Sequence, residues 1–442
     1  MSRRAALLGL GVGLALADSS IVTLALPEIL GDFDVGITTV AWVLTSFNLV
    51  LAAVAVPAAY VSRRRPRAAF AVGVVVFSAS SLTCGLAPSF GVLVGARCVQ
   101  AAGAALLVTA ALDLLANVRG SDEGALRVWV AAGVLGAAIG PAVGGVLTAA
   151  LGWEWIFLVQ VPVALLLLAV LRGLVSRPAP APAGRPSVSA NAALLFVAGG
   201  LVAALFLVVL LLVDGWNMSP AAAGLVVTVM PVTAIVVGRL RPRSLGSIRG
   251  AACGVVLLAG GLCALALLPR AGWEWTIPPQ LLVGAGLGLT VAGLTELAVG
   301  GRPDQVVHGG WTLAARHAGV VLGLVLLAPV LTNALETNRT EAIRAGAALV
   351  LDSRIPPLDK LGVAQDVLAE VDRAHDVGKL PDVGRALSGR PGDSDWNALR
   401  AGLQDQLDRA VTNAFSGPFF LASALTLCAL VPLAALRLRR RA

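Results

Sequence analysis

Charge is what this chain has least of: 13% of its 442 residues are Asp, Glu, Lys or Arg, against about 25% in an ordinary soluble domain. That shortage excludes a normal water-soluble enzyme. Lysine is confined to Lys360 and Lys379, so nearly every cation is an arginine. The five cysteines, Cys84, Cys98, Cys253, Cys263 and Cys428, lie in apolar runs without metal-site or redox spacing, and we expect neither a disulfide nor a metal centre. A Walker-type phosphate loop is missing, which argues against ATP as the direct energy source. So is any basic, aromatic-interleaved patch that would point to nucleic acid. The apolar run that follows Arg4 carries Asp18 in place of a small-residue cleavage site. It therefore reads as a retained first helix rather than a signal peptide.

What is present is hydrophobicity, at 57% of residues with a mean hydropathy of +0.87. A membrane-spanning helix needs about 20 apolar residues, and twelve stretches of that kind can be marked between arginine, proline and glycine clusters. They are Ala5–Leu26, Val40–Val61, Ala68–Leu86, Phe90–Ala111, Val128–Ala149 and Ile156–Leu174, then Ala192–Val213, Ala221–Leu240, Gly250–Leu268, Ile277–Val299, Gly310–Leu331 and Phe415–Leu436. Alternate connections hold the arginines, including Arg3, Arg4, Arg63, Arg64, Arg65, Arg67, Arg239, Arg241, Arg243 and Arg302. The opposite connections hold acids and tryptophans such as Asp32, Trp153, Glu154, Asp214 and Trp216. Positive charge stays on the cytoplasmic side, so both termini are expected there, in a multi-pass protein of the cell membrane. The net charge of +8 is then directed to the anionic inner leaflet of the lipid bilayer.

Two stretches interrupt the short connections. Residues 176–190, with Pro178, Pro180, Pro182 and Pro186, read as an extended linker. It separates a first six-helix bundle, residues 1–175, from a second, residues 191–442. Residues 334–414 carry 13 acids and 10 bases, a net of −3, and by helix parity they lie outside the membrane. Leu361, Val363, Val367, Leu368 and Val371, then Leu399, Leu403, Leu407 and Val411, recur at helical spacing. Two or three amphipathic helices are expected, with Pro356, Pro381 and Pro391 between them; a flexible insertion without function is the alternative. An envelope partner would be reached through 334–414.

The fifth stretch contains Gly136, Gly140, Pro141, Gly144 and Gly145. Glycines four apart open a groove in which another helix can approach closely, and Pro141 removes a backbone donor. This run resembles the antiporter motif of the major facilitator superfamily, G-x-x-x-G-P-x-x-G-G, at every specified position. Arg97, Gln100, Gly103 and Ala104 resemble the superfamily's R-x-x-Q-G-x-G-A signature, with Ala101 at the first glycine. Asp18 to Pro27, DSSIVTLALP, is similar to the first-helix motif D-x-T-I-V-N-V-A-L-P of the drug:proton antiporter branch, usually built with fourteen helices. Trp42–Val61, Gly152–Pro162, Met218–Pro231 and Ala314–Gly323 look like further signatures of that branch, although only twelve spans are visible here.

The resemblance implies a major facilitator fold, an all-α membrane protein of two six-helix bundles with a helical insertion between the last two helices. Asp18 lies about 20 Å along its span from the inner edge and Arg97 about 10 Å from the outer edge. In a core about 30 Å thick these depths coincide, and the resemblance places both helices around the central cavity, so the two charges can meet. Gln100, Asn48, Arg316 and His317 are the polar candidates for the substrate cavity. For Asn48 the alternative is a helix-to-helix hydrogen bond, as for Gln160 and Asn191; for Arg316 and His317 it is snorkelling to the interface. The superfamily's loop motif G-x-L-x-D-R-x-G-R-R should follow the second helix. Aligned there, Arg63, Arg64 and Arg67 are present but Ser62 stands in place of the aspartate, and the second copy has Pro242 before Arg243. In the family that aspartate helps latch the outward-facing state, so a different or weaker cytoplasmic latch is expected.

Taken together, these residues describe no enzyme. They describe a proton-coupled exporter of hydrophobic small molecules or drugs, acting as a monomer by alternating access, driven by the proton gradient without a cofactor. A lipid or glycolipid exporter of the same fold and a nontransporting sensor or scaffold are the alternatives.

Overall fold

The computed structural model describes residues 2–172, 184–242, 245–269, 271–376, 383–390 and 393–439. Among these, eleven helices are long and apolar enough to cross a membrane. The first five are α1 (Arg3–Thr23), α2 (Trp42–Arg64), α3 (Pro66–Gly85), α4 (Phe90–Arg119) and α5 (Asp122–Leu151). Ser2, Ser89 and Ser121 cap α1, α4 and α5, their hydroxyls accepting from amides three residues on. Pro66 opens α3 at a position where a missing N–H costs nothing. The sixth expected span is a shorter, broken helix, α6 (Trp155–Leu171), which ends in a 3₁₀ turn.

The second half repeats the plan. It has α7 (Val188–Leu210), α8 (Pro220–Leu240), α9 (Ser247–Ala266), α10 (Ile277–Val299) and α11 (Gln305–Asp352). Then follow α12 (Pro357–Asp376), α13 (Val383–Ala386), α14 (Ser394–Leu427) and α15 (Leu430–Arg439). Of the expected linker, residues 176–183 lie outside the described residues, and Gly184–Ser187 lead into α7. Pro356 directly precedes α12; Pro381 and Pro391 lie outside the described residues.

The first six helices pack chiefly on one another, α3 on α4 and α1 on α5, and the later ones likewise, α9 on α10 and α7 on α11. Two seams join the groups: α2 against α11, and α5 against α8. The arginine-rich end of the molecule is tied together by Arg4 and Arg67, which donate to the carbonyls of Arg172 and Leu171. At the opposite, insertion end, Trp153 Nε1 donates to Asp32 Oδ2 at 2.7 Å, and Phe33 stacks against Trp153 and Phe90. Trp216 Nε1 of the same face donates to Thr412 Oγ1 at 3.2 Å.

The insertion leaves the bundle on helices, not loops. Helix α11 runs 48 residues, about 72 Å at 1.5 Å per residue, and α14 runs 34. Both extend well past a hydrocarbon core of about 30 Å. Beyond it they meet α12 and α13 around a second apolar core of Val350, Ile355, Val363, Leu387, Trp396, Leu399 and Leu403.

Candidate functional site

The glycine run of α5 shows why two surfaces can meet on one helix. A Cβ on Gly136, Gly140 or Gly144 would strike Gly13, Ser20 or Ile21 of α1. These three, four residues apart, form the stripe on which α1 lies. Gly145 points elsewhere: a Cβ there would strike the carbonyl of Pro220 on α8, and one on Gly224 would come within 2.7 Å of the Pro141 carbonyl. The motif therefore does two jobs, seating α1 within the first bundle and closing the α5–α8 seam at the insertion end.

The α1 helix held in this way carries Asp18 into the middle of the first bundle. Asp18 and Arg97 form an ion pair through Oδ2 and Nη1, both fully buried. The two charges, expected at matching depths on their helices, meet. Arg97 Nη1 also donates to Gln100 Oε1 at 2.6 Å, one helical turn along α4. Gln100 Nε2 reaches Asp18 Oδ1 at 3.3 Å and Ser81 Oγ at 2.8 Å, while Gln160 Nε2 on α6 reaches the same Oδ1 at 3.1 Å. The guanidinium Nε donates to the Val43 carbonyl, and the group lies 4.2 Å from the Phe47 ring centroid and 5.5 Å from that of Phe157. Five helices thus contribute to the cluster around this pair, and Asp18 lines neither of the two cavities described below.

A second polar contact crosses the α2–α11 seam. His317 Nδ1 lies 2.6 Å from Asn48 Oδ1, and Asn48 Nδ2 reaches Ser19 Oγ, the neighbour of Asp18, at 3.4 Å. Asn48 and His317 are both buried. Of the four polar candidates for the substrate cavity, Arg316 lines the larger of the two cavities described here, whereas Gln100 faces Asp18 and the other two face each other. That cavity, about 1310 Å³, runs between α5, α8 and α10 and reaches the arginine-rich end near Glu123, Arg239 and Arg302. A second, of about 480 Å³, lies at the insertion end.

The arginine-rich end of the α2–α11 seam is closed. Gly310 fits against Ala55 and Ala59 of α2, and Arg63 Nε lies 2.7 Å from Asp304 Oδ2. Asp304, in the left-handed region at φ 52°, caps α11 by accepting from Val307 N–H. Its carboxyl is fully buried while Arg63 keeps a fifth of its side chain exposed. Ser62, at the aspartate's place in the loop motif, turns instead to Thr109 on α4, Oγ to Oγ1 2.9 Å. Arg64 is exposed, Arg67 binds the Leu171 carbonyl, and Arg243 lies outside the described residues. Sequence reasoning missed Asp304 and also His308, which is buried one turn further along α11. The signal for Asp304 was there: an Asp after Gly300, Gly301 and Pro303, just ahead of an apolar helix, is an N-cap pattern.

Two groups of spanning helices, seamed along α2–α11 and α5–α8, with a buried charge pair inside the first, define a polytopic membrane protein. A family model described as Major Facilitator Superfamily matches residues 8–334, and the chain belongs to that family. The match ends where the insertion begins. Among similar proteins, the drug efflux pump JefA of Mycobacterium tuberculosis is 37% identical over 158 residues, 35% of this chain and 31% of its own length. The multidrug efflux pump LfrA of Mycolicibacterium smegmatis is 35% identical over 167 residues, 37% of this chain and 33% of its own. The chain spans about a third of the length of these curated relatives. A solved structure of a bacterial homologue of the human lysosomal transporter Spinster, inward-facing and unoccupied, matches with a TM-score of 0.64 at 16% identity, covering 98% of this chain and 99% of that one. That likeness shows the fold.

Proposed function

We propose that this protein is a proton-coupled exporter of hydrophobic small molecules, working by alternating access with its arginine-rich end in the cytoplasm. The observation that carries the reading is the Asp18–Arg97 pair: a carboxylate and a guanidinium, both fully buried, held by Gln100 and Gln160. A charge inside a membrane bundle is expensive and is kept for function. Asp18 is the proton carrier. When it is protonated, Arg97 loses its charged partner, and the packing of α1 against α4 and α6 must adjust. Ser19, Asn48 and His317 relay that adjustment to the α2–α11 seam. The Leu, Val, Ala and Gly walls of the larger cavity, beside the charges at its arginine-rich mouth, and the efflux pumps among the similar proteins support hydrophobic drugs as cargo.

The gate in this reading is an exchanged latch. The carboxylate that the loop motif lacks at Ser62 is supplied from the other bundle by Asp304, against Arg63 of the same loop. Positive-inside charge distribution supports the orientation and cytoplasmic termini. The proton gradient supplies the energy and a single chain suffices.

Everted membrane vesicles containing the protein test the coupling. Addition of ethidium as the transported probe should drive proton release, and Asp18→Asn should abolish it. Unchanged coupling in that variant removes Asp18 from the mechanism.

A further inference from the structure

The cavity at the insertion end is walled by the extended parts of α11 and α14, with Ile343 and Ala347 on one and Leu407 on the other. Its floor comes from both bundles: Leu30 and Ile37 from the connection between α1 and α2, and Leu210 from the end of α7. At about 480 Å³ it falls in the size range of small-molecule sites, about 300–1,000 Å³. Glu370, a buried acid on its wall, is engaged by Arg373 and Arg385, and the other charged groups of the lining, Asp214, Glu336 and Arg339, are engaged as well. The site therefore offers a ligand mainly apolar surface. Its position is as informative as its lining, because a floor drawn from both bundles lies over the line along which they meet.

We propose that the insertion forms a second binding pocket, at the exit of the transport path, for a neutral apolar molecule of drug size, the cargo itself. The source of the molecule rests on the exporter reading; the existence of the pocket does not. A molecule leaving the seam passes from one apolar lining to another under the insertion instead of straight into water. An acyl chain drawn from the outer leaflet has the same apolar chemistry, so the experiment must separate the two sources.

Full-length protein in nanodiscs is irradiated with a diazirine-bearing naphthalene, a neutral apolar probe, and the modified peptides are mapped by mass spectrometry. Labelling is expected to concentrate on residues 342–350 and 403–411, to be competed by unlabelled 1-N-phenylnaphthylamine, and to fall at least tenfold in Ala347→Trp. Ala348→Trp, exposed and turned about 100° further round the same helix from the pocket lining, should leave it unchanged, and Ala347→Asp, which adds charge with little bulk, should lower it without relying on steric fit. Labelling spread evenly over lipid-facing helices, or unaffected by both Ala347 variants, overturns the pocket. A diazirine fatty alcohol that labels the same peptides and resists competition by the naphthylamine assigns the site to lipid and overturns the cargo assignment. The readout needs no gradient, so Asp18→Asn should retain the labelling. Vesicles that fail to transport while the pocket still labels would sink the exporter reading alone.

Discussion

Arg63 Nε and Asp304 Oδ2 stand 2.7 Å apart, joining the last turn of α2 to the cap of α11 across the two bundles. The same carboxylate also holds the first turn of α11, so one side chain both starts a helix and ties it to the opposite half. Losing it therefore has two separable effects, a loosened cap and an open seam.

Asp304→Ala should weaken closure of this seam by about 1–3 kcal/mol, between the values for exposed and fully buried pairs. The exchange Arg63→Asp with Asp304→Arg should restore part of the pairing but not the cap. Spin labels at positions 64 and 303, in a background without native cysteines, should report a longer distance in Asp304→Ala and a partial return in the exchange. Equal distances in all three proteins would show that the pair does not hold the seam.

Burial pushes the Asp304 carboxyl above the usual aspartate range, with Arg63 pulling it partly back. The ion pair needs the ionised form, so acidification should release it while an exposed aspartate is still charged. For folding the sign is reversed: a raised carboxyl pKa contributes stability that is complete below the unfolded value of 3.8 and is lost as pH rises through the folded one. A titration of the 64–303 distance downward from pH 7 should therefore show opening above pH 3.8, and the transition should vanish in Asp304→Asn.

Arg97→Ala leaves the Asp18 carboxylate buried without its partner and should cost about 3–5 kcal/mol, seen as a lowered melting temperature in detergent. Asp18→Asn should cost a comparable amount by stranding Arg97. The double variant Asp18→Asn with Arg97→Gln removes both charges, so most of the stability should return. Transport should not return. Coupled export in the neutral double variant would mean that the pair is only structural.

Gly144→Ala and Gly145→Ala differ by one position but should fail in different ways. The first drives a methyl into the Ile21 backbone, and overpacking of that kind costs about 1–3 kcal/mol of fold stability. The second strikes Pro220 of the other bundle and should loosen the α5–α8 seam while largely sparing the melting temperature. Spin labels at 151 and 225 should move apart in Gly145→Ala alone.

Much of this arrangement was legible in the sequence because membrane solvation leaves so few choices. Apolar runs of fixed length gave the spans, and the depth of Asp18 matched that of Arg97 because a buried charge in hydrocarbon must find its opposite. The glycine run announced close helix packing, but not that its stripe divides between α1 and α8; both partners are small-residue surfaces that no local pattern tells apart. Ser62 reads as a missing latch because the loop that supplies the aspartate in the family has none here. The replacement, Asp304, lies 241 positions beyond Arg63, and only tertiary folding brings the two together. In the same way, the helical spacing of Leu399, Leu403 and Leu407 was visible, whereas the unbroken continuation of α11 out of the membrane was hidden by the change from apolar to polar composition near residue 334.

That continuous helix has a mechanical consequence. Asp304 sits at one end of α11 and the Ile343–Ala347 wall lies beyond the opposite membrane face, on a single rod of about 72 Å. A tilt of about 5° about the Asp304 end sweeps the far end through about 6 Å, by helix length alone. Pro329, almost midway along the rod, is where the backbone ladder is already broken and bending is cheapest. The stiffness of that one joint sets how much of any movement at the arginine-rich end arrives under the insertion.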